Sequence, residues 1–156
     1  MTVHLNILTW NERTFGGAYH RRHGQILREE IRNNCLIKRN LDIIMIQEHH
    51  LNSRRMAKYG YLLSQQYFMF WARGSGLAKA LGGICMTIHK KWTDQVVEQK
   101  ILQEGRAQYL IIDWEGEKMC VLNIYTPNQS SERETFWTLV FSFQNLPLVC
   151  LRRNFL

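Results

Sequence analysis

Apolar and polar residues change rhythm several times along the chain, and each rhythm predicts an element. Asp42-Ile43-Ile44-Met45-Ile46-Gln47 sets four bulky apolar side chains in succession between polar ends. Such a run reads as a strand buried on both faces, an interior strand of a layered α/β protein. Before it, Val3 to Trp10 alternates imperfectly and predicts a first strand, with Asn11 at its end ahead of the Gly16-Gly17 break. Between the two, Leu27, Ile31 and Cys35, flanked by Ile26 and Leu36, recur at helical spacing from Gly24 to about Arg39. Strand, helix, strand at this spacing is a βαβ unit, so the two strands are expected to be parallel neighbours.

Further along, short strands are predicted at Tyr67 to Trp71, Gly83 to His89, Val96 to Leu102, Gln108 to Trp114 and Lys118 to Tyr125. Turn signals separate them, and the last two, joined through Glu115-Gly116-Glu117, predict a β-hairpin. After Pro127-Asn128, Ser130 or Ser131 is expected to cap a helix whose apolar face is Phe136, Trp137, Val140 and Phe141. Leu146 to Leu151 predicts another strand. No repeat or linker interrupts the pattern, so residues 1–156 are read as one domain.

Composition narrows the class. At 156 residues the chain is one domain's worth, able to bury roughly two-thirds of its unfolded surface. No stretch approaches the ~20 consecutive apolar residues of a membrane span. The first residues lack a basic region followed by an apolar core, so no signal peptide is read and an intracellular location is expected. Cys35, Cys85, Cys120 and Cys150 form no C-x-x-C pair; they are expected to be small buried hydrophobes rather than a zinc or redox motif. The net charge of +7 favours a polyanionic partner, since Lys and Arg that neutralise phosphates release counterions.

Three strand ends carry polar groups: Thr9-Trp10-Asn11, Gln47-Glu48-His49, and Asn123-Ile124-Tyr125-Thr126-Pro127-Asn128. Ligands of layered α/β folds collect where strands end. Glu48, delivered there by a buried strand, reads either as a metal-binding carboxylate or as the start of a solvated loop. Hydrolysis of a phosphodiester requires neutralised phosphoryl oxygens and an oriented water, and a hard divalent ion on oxygen ligands provides both. His49 and His50 read as surface loop, one of them necessarily pointing away from whatever Glu48 faces. Arg106 reads as a surface arginine of a β-turn, and Trp71, Trp92 and Trp114 as core or as a base-stacking platform.

In order and spacing, Ile7-Leu8-Thr9-Trp10-Asn11, Leu41 through Leu51, Gly82-Gly83-Ile84-Cys85, Gly105-Arg106-Ala107-Gln108-Tyr109 and Leu122 through Asn128, with Arg133 and Phe136-Trp137 following, resemble the endonuclease/exonuclease/phosphatase superfamily. They are most similar to the apurinic-endonuclease-like domain of LINE-type retrotransposons. The resemblance implies a DNase I-like two-sheet α/β sandwich, lacking its C-terminal strands, that cuts DNA with Mg²⁺ or Mn²⁺ and works in the nucleus. It implies that Glu48 binds the metal with Asn11 in support, that Tyr125 sets its phenol against the phosphate or leaving group, and that Asn128 and Arg133 meet DNA. The alternative for Tyr125 is a strand-end aromatic packed on the core, and for Asn128 an ordinary turn residue after proline. The family's later D-x-N and S-D-H motifs have no counterpart here; Leu151-Arg152-Arg153-Asn154-Phe155-Leu156 carries arginine where the aspartate belongs. Little nuclease activity is therefore expected. A non-catalytic nucleic-acid-binding remnant and a phosphatase-type relative acting on small phosphate esters are the other readings, and oligomeric state stays open.

Overall fold

A computed structural model describes residues 4–11, 40–74 and 82–143 of the chain. Strands β1 (Ile7–Asn11) and β2 (Ile43–Gln47) are parallel neighbours, Ile7 opposite Ile43 and Asn11 opposite Gln47. The helix expected from Gly24 to about Arg39 lies outside the described residues. All five β2 residues are buried, because alternation sends Ile44 and Ile46 into one apolar cluster and Ile43 and Met45 into another. β1 starts at Ile7 instead of near Val3. Asn6 is tied to the start of β2, its N–H donating to Asp42 Oδ2 (2.8 Å) and its carbonyl accepting from Asp42 N (2.8 Å) and Ile43 N (3.2 Å).

The pattern between Leu51 and Tyr67 predicts no element, yet helix α1 (Ser53–Leu63) forms there. Met56, Tyr59 and Leu63 stand at helical spacing, and the helix is held by tertiary packing: Tyr59 and Leu63 are buried with Ile44, Ile46 and Tyr67, and Met56 lies against the same cluster. Strands β3 (Tyr67–Ala72) and β4 (Ile84–His89) follow, and the sheet order is β1-β2-β4-β3. A 3-10 turn at Lys90–Gln95, capped by His89 accepting from Lys91 N, leads to the second sheet.

That sheet is β5 (Val96–Gln103), β6 (Ala107–Trp114) and β7 (Glu117–Ile124), in that order and antiparallel. The predicted hairpin turns through Glu115 (φ 53°) and Gly116 (φ 87°), the two positive-φ residues that match the strands' right-handed twist. Leu110, Ile112 and Val121 meet Ile43, Met45, Met86 and Ile88 between the sheets. Helix α2 (Ser130–Ser142) covers the outer face of the second sheet with Phe136 and Val140. The result is the expected two-sheet α/β sandwich.

Two details of α2 correct the sequence reading. Its N-cap is Gln129, without a side-chain cap bond, rather than Ser130 or Ser131. Its apolar face is narrower, since Phe136 and Val140 stack at i and i+4 while Phe141, one position round the helix, is largely exposed. Cys85 and Cys120 are buried, as expected of small hydrophobes; the strand predicted at Leu146 to Leu151 lies outside the described residues. Among these residues no helix is long and apolar enough to cross a membrane.

Candidate phosphate and cation site

Because β1 and β2 are parallel, Asn11 and Glu48 emerge at the same edge of the first sheet, and the end of β7 brings Tyr125 to that edge from the second. Asn11 Nδ2 donates to Glu48 Oε1 at 3.0 Å. The Tyr125 hydroxyl lies close enough to the Glu48 carboxylate and the Asn128 side chain for both to act on its ionisation. Arg133, on the first turns of α2, donates from Nη2 to the Asn128 carbonyl at 3.0 Å. The structure therefore gathers Asn11, Glu48, Tyr125 and Asn128 directly, with Arg133 attached through the Asn128 backbone.

Two further residues belong to the cluster and correct the sequence reading. Arg106 does lie in the turn before β6, but its guanidinium sits 4.7 Å above the Tyr125 ring and its carbonyl accepts from Tyr125 N at 2.7 Å. His50 is not plain loop: its Nδ1 accepts from Gly82 N (3.2 Å) and its Nε2 lies 3.7 Å from Glu48 Oε2. The signal for Arg106 was the Gly105-Arg106 pair itself, whose partner Tyr125 is distant in sequence; nothing local distinguished His50 from His49.

His49 does point away from Glu48, and it is fully buried, edge-on to Trp71 at 5.1 Å. Its Nδ1 accepts from Leu51 N, while Nε2 faces the backbone of Ala72 and Ile84 without forming a good hydrogen bond. The backbone on either side adopts left-handed φ, 56° at Glu48 and 47° at His50. Such values in non-glycine residues cost of order 1–3 kcal/mol each and collect at functional sites. The inward turn of His49 is what sets Glu48 and His50 toward the cluster.

Burial, reinforced by neighbouring His50 and opposed by the Ala72 and Ile84 carbonyls, lowers the His49 pKa from 6.5 to about 4. An unfolded chain thus takes up a proton on acidification that the folded one refuses. The stability gained by keeping His49 neutral is complete above pH 6.5 and drains away as pH falls toward 4, about 3 kcal/mol in all. Urea unfolding at pH 7 and pH 4 is expected to show this loss in the parent and a smaller one in His49→Leu; equal losses would contradict it.

Burial and the adjacent Glu48 carboxylate raise the Tyr125 pKa above 10; Arg106 and Asn128 offset part of this. The phenol is consequently a protonated donor at neutral pH. Beneath the cluster the sandwich interior turns polar. Gln47 Nε2 donates to Asn123 Oδ1 (2.7 Å) and Thr9 Oγ1 (3.1 Å), and Asn123 Nδ2 donates to the carbonyls of Cys85 (2.9 Å) and Ile46 (3.4 Å).

Glu48 and the Asn11 amide carbonyl offer only oxygen donors, the chemistry of Mg²⁺ or Mn²⁺ rather than of a soft metal. Among the described residues no group of three or more His, Cys, Asp or Glu side chains converges on a metal position. One carboxylate beside one carboxamide fits a Mg²⁺ ion that keeps several waters and borrows oxygens from a phosphate.

No family model matches the chain, and no curated protein does. Solved structures do match. An AP endonuclease from Leishmania major superposes with a TM-score of 0.61 at 15% identity, over 89% of this chain and 45% of that one. TDP2 of D. rerio, complexed with a single-strand DNA product, gives 0.61 at 20% identity, over 94% and 57%. An endonuclease/exonuclease/phosphatase family protein from Leptotrichia buccalis gives 0.63 at 16%, over 91% and 64%. The likeness is one of fold, and the chain spans roughly half the length of these proteins.

Proposed function

We propose that this chain carries the cation- and phosphate-binding part of a phosphodiesterase site of the endonuclease/exonuclease/phosphatase kind, acting on DNA and of the LINE-type retrotransposon class. The observation that supports this reading is the meeting of Asn11, Glu48 and Tyr125 from three strand ends at one edge of the sandwich. Glu48 and Asn11 hold Mg²⁺ or Mn²⁺, which when bound neutralises phosphoryl oxygens. Tyr125, kept protonated, donates its hydroxyl to developing negative charge. Arg106, fixed over the Tyr125 ring, neutralises a neighbouring phosphate, while Asn128 and Arg133 meet the strand's backbone.

The test is nicking of supercoiled plasmid with Mg²⁺ or Mn²⁺, alongside binding of a single-stranded oligonucleotide. Slow nicking that requires the cation supports the reading, and its rate is expected to fall about 100-fold in Tyr125→Phe, which removes one donor but keeps the ring under Arg106. A second reading, binding without cleavage, is favoured by the presence of one carboxylate in the cluster and by the +7 charge. It predicts salt-sensitive binding and no nicking. Oligonucleotide binding indifferent to the cation, together with no nicking at any Mn²⁺ concentration, overturns the enzymatic reading.

A further inference from the structure

Asn123 is 1% exposed and lies between the two sheets, where a polar side chain must use its hydrogen bonds or destabilise the fold. It uses them across the sandwich. From β7 its Nδ2 reaches carbonyls on both β2 (Ile46) and β4 (Cys85), and its Oδ1 accepts from Gln47. Gln47 in turn reaches Thr9 on β1. Two carboxamides, those of Asn123 and Gln47, thereby link the strands that lead to Asn11, Glu48 and Tyr125: Ile46 stands two residues before Glu48, and Asn123 two residues before Tyr125. Asn123 and Tyr125 stand a same-face step apart, and Glu48 follows directly on Gln47 at the end of β2, so a displacement at the amide passes to the side chains at the site.

Gln108 behaves differently. It faces Asn123 in the β6–β7 register and is equally buried, yet neither of its amide atoms has a hydrogen-bond partner. Burial of an amide at this depth is therefore not sufficient for cross-sheet bonding; it is Asn123 that reaches the opposite sheet.

We propose that Asn123 is a positioning residue, whose carboxamide holds the Glu48 carboxylate and the Tyr125 hydroxyl in register across the two sheets. This rests on the reading of Glu48 as the cation-binding group. Partners one step removed from metal ligands commonly govern affinity 10–100-fold. The experiment is Mn²⁺ titration followed by electron paramagnetic resonance, with a short single-stranded oligonucleotide present, at a temperature where every variant is folded.

Asn123→Ala is expected to weaken Mn²⁺ about 10-fold, whereas Gln108→Met, which removes an amide without bonds, leaves affinity at the parent value. Tyr125→Phe is expected to add nothing in the Asn123→Ala background, because the contact it removes has already been lost. Parent-like affinity in Asn123→Ala, or independent additive effects of the two substitutions, overturns the proposal and leaves the amide a purely structural tie. Should Asn123→Ala fail to fold, Gln47→Met removes one of the three bonds, and unchanged affinity there counts against the proposal equally. Mn²⁺ binding that Glu48→Gln does not alter removes the underlying reading of the site, an outcome distinct from failure at Asn123 alone.

Discussion

Glu48→Gln is expected to lower cation-dependent nicking by about 1,000-fold while leaving the fold intact. The substitution keeps shape and volume but removes the charge that attracts the cation and opposes ionisation of Tyr125. The partners Asn11 and His50 remain in place around an amide that is a far poorer ligand. Glu48→Asn separates function from stability. Asn tolerates left-handed backbone better than Glu, so at φ 56° it is expected to fold at least as stably as the parent while binding Mn²⁺ no better than Glu48→Gln. Thermal unfolding and Mn²⁺ titration of the three proteins measure this. Retained affinity in both variants would falsify the role assigned to Glu48.

The second large effect falls on folding. Gly83 adopts φ +93°, and a Cβ built on it stands 2.5 Å from His49 Cε1 and 2.7 Å from His49 Nε2. His49 has nowhere to retreat: it is fully buried, packed on Trp71 and anchored by the Leu51 N–H. Gly83→Ala therefore combines a backbone penalty with overpacking of the core, about 4 kcal/mol together. The neighbouring Gly82 is the natural comparison. At φ +74° its added Cβ meets nothing closer than 3.7 Å, so Gly82→Ala incurs only the backbone term, about 1 kcal/mol. Urea denaturation of the pair is decisive, and equal losses would remove His49 as the cause. Since His49 sets the direction of Glu48, Gly83→Ala is also expected to weaken Mn²⁺ even where it remains folded.

Much of the fold was legible because its signals are short-range. The run Ile43 to Gln47 announces a strand covered on both sides, and Glu115-Gly116 announces a tight hairpin, whatever the rest of the chain does. Helix α1 was missed although Met56, Tyr59 and Leu63 recur at helical spacing, because so short and polar a segment is held as a helix only once β2 and β3 supply a surface to pack against. The same distinction runs through the site. Asn11, Glu48 and Tyr125 stood out as polar groups at the ends of apolar strands. Asn123 sat inside a strand, and its bonds to Gln47, Ile46 and Cys85 exist only once the sheets are stacked.

By itself, then, the order of residues determined which segments form strands and which polar side chains lie near their ends, since side-chain alternation and turn chemistry act over a few neighbouring positions. Only the tertiary structure decided that His49 turns into the core and His50 toward Glu48, and that Arg106 lies over Tyr125. Those choices depend on backbone torsions set by contact with Gly82 and Gly83 and on strands brought together from far apart in the chain. Adjacent histidines are chemically alike; the packing space each one meets is not.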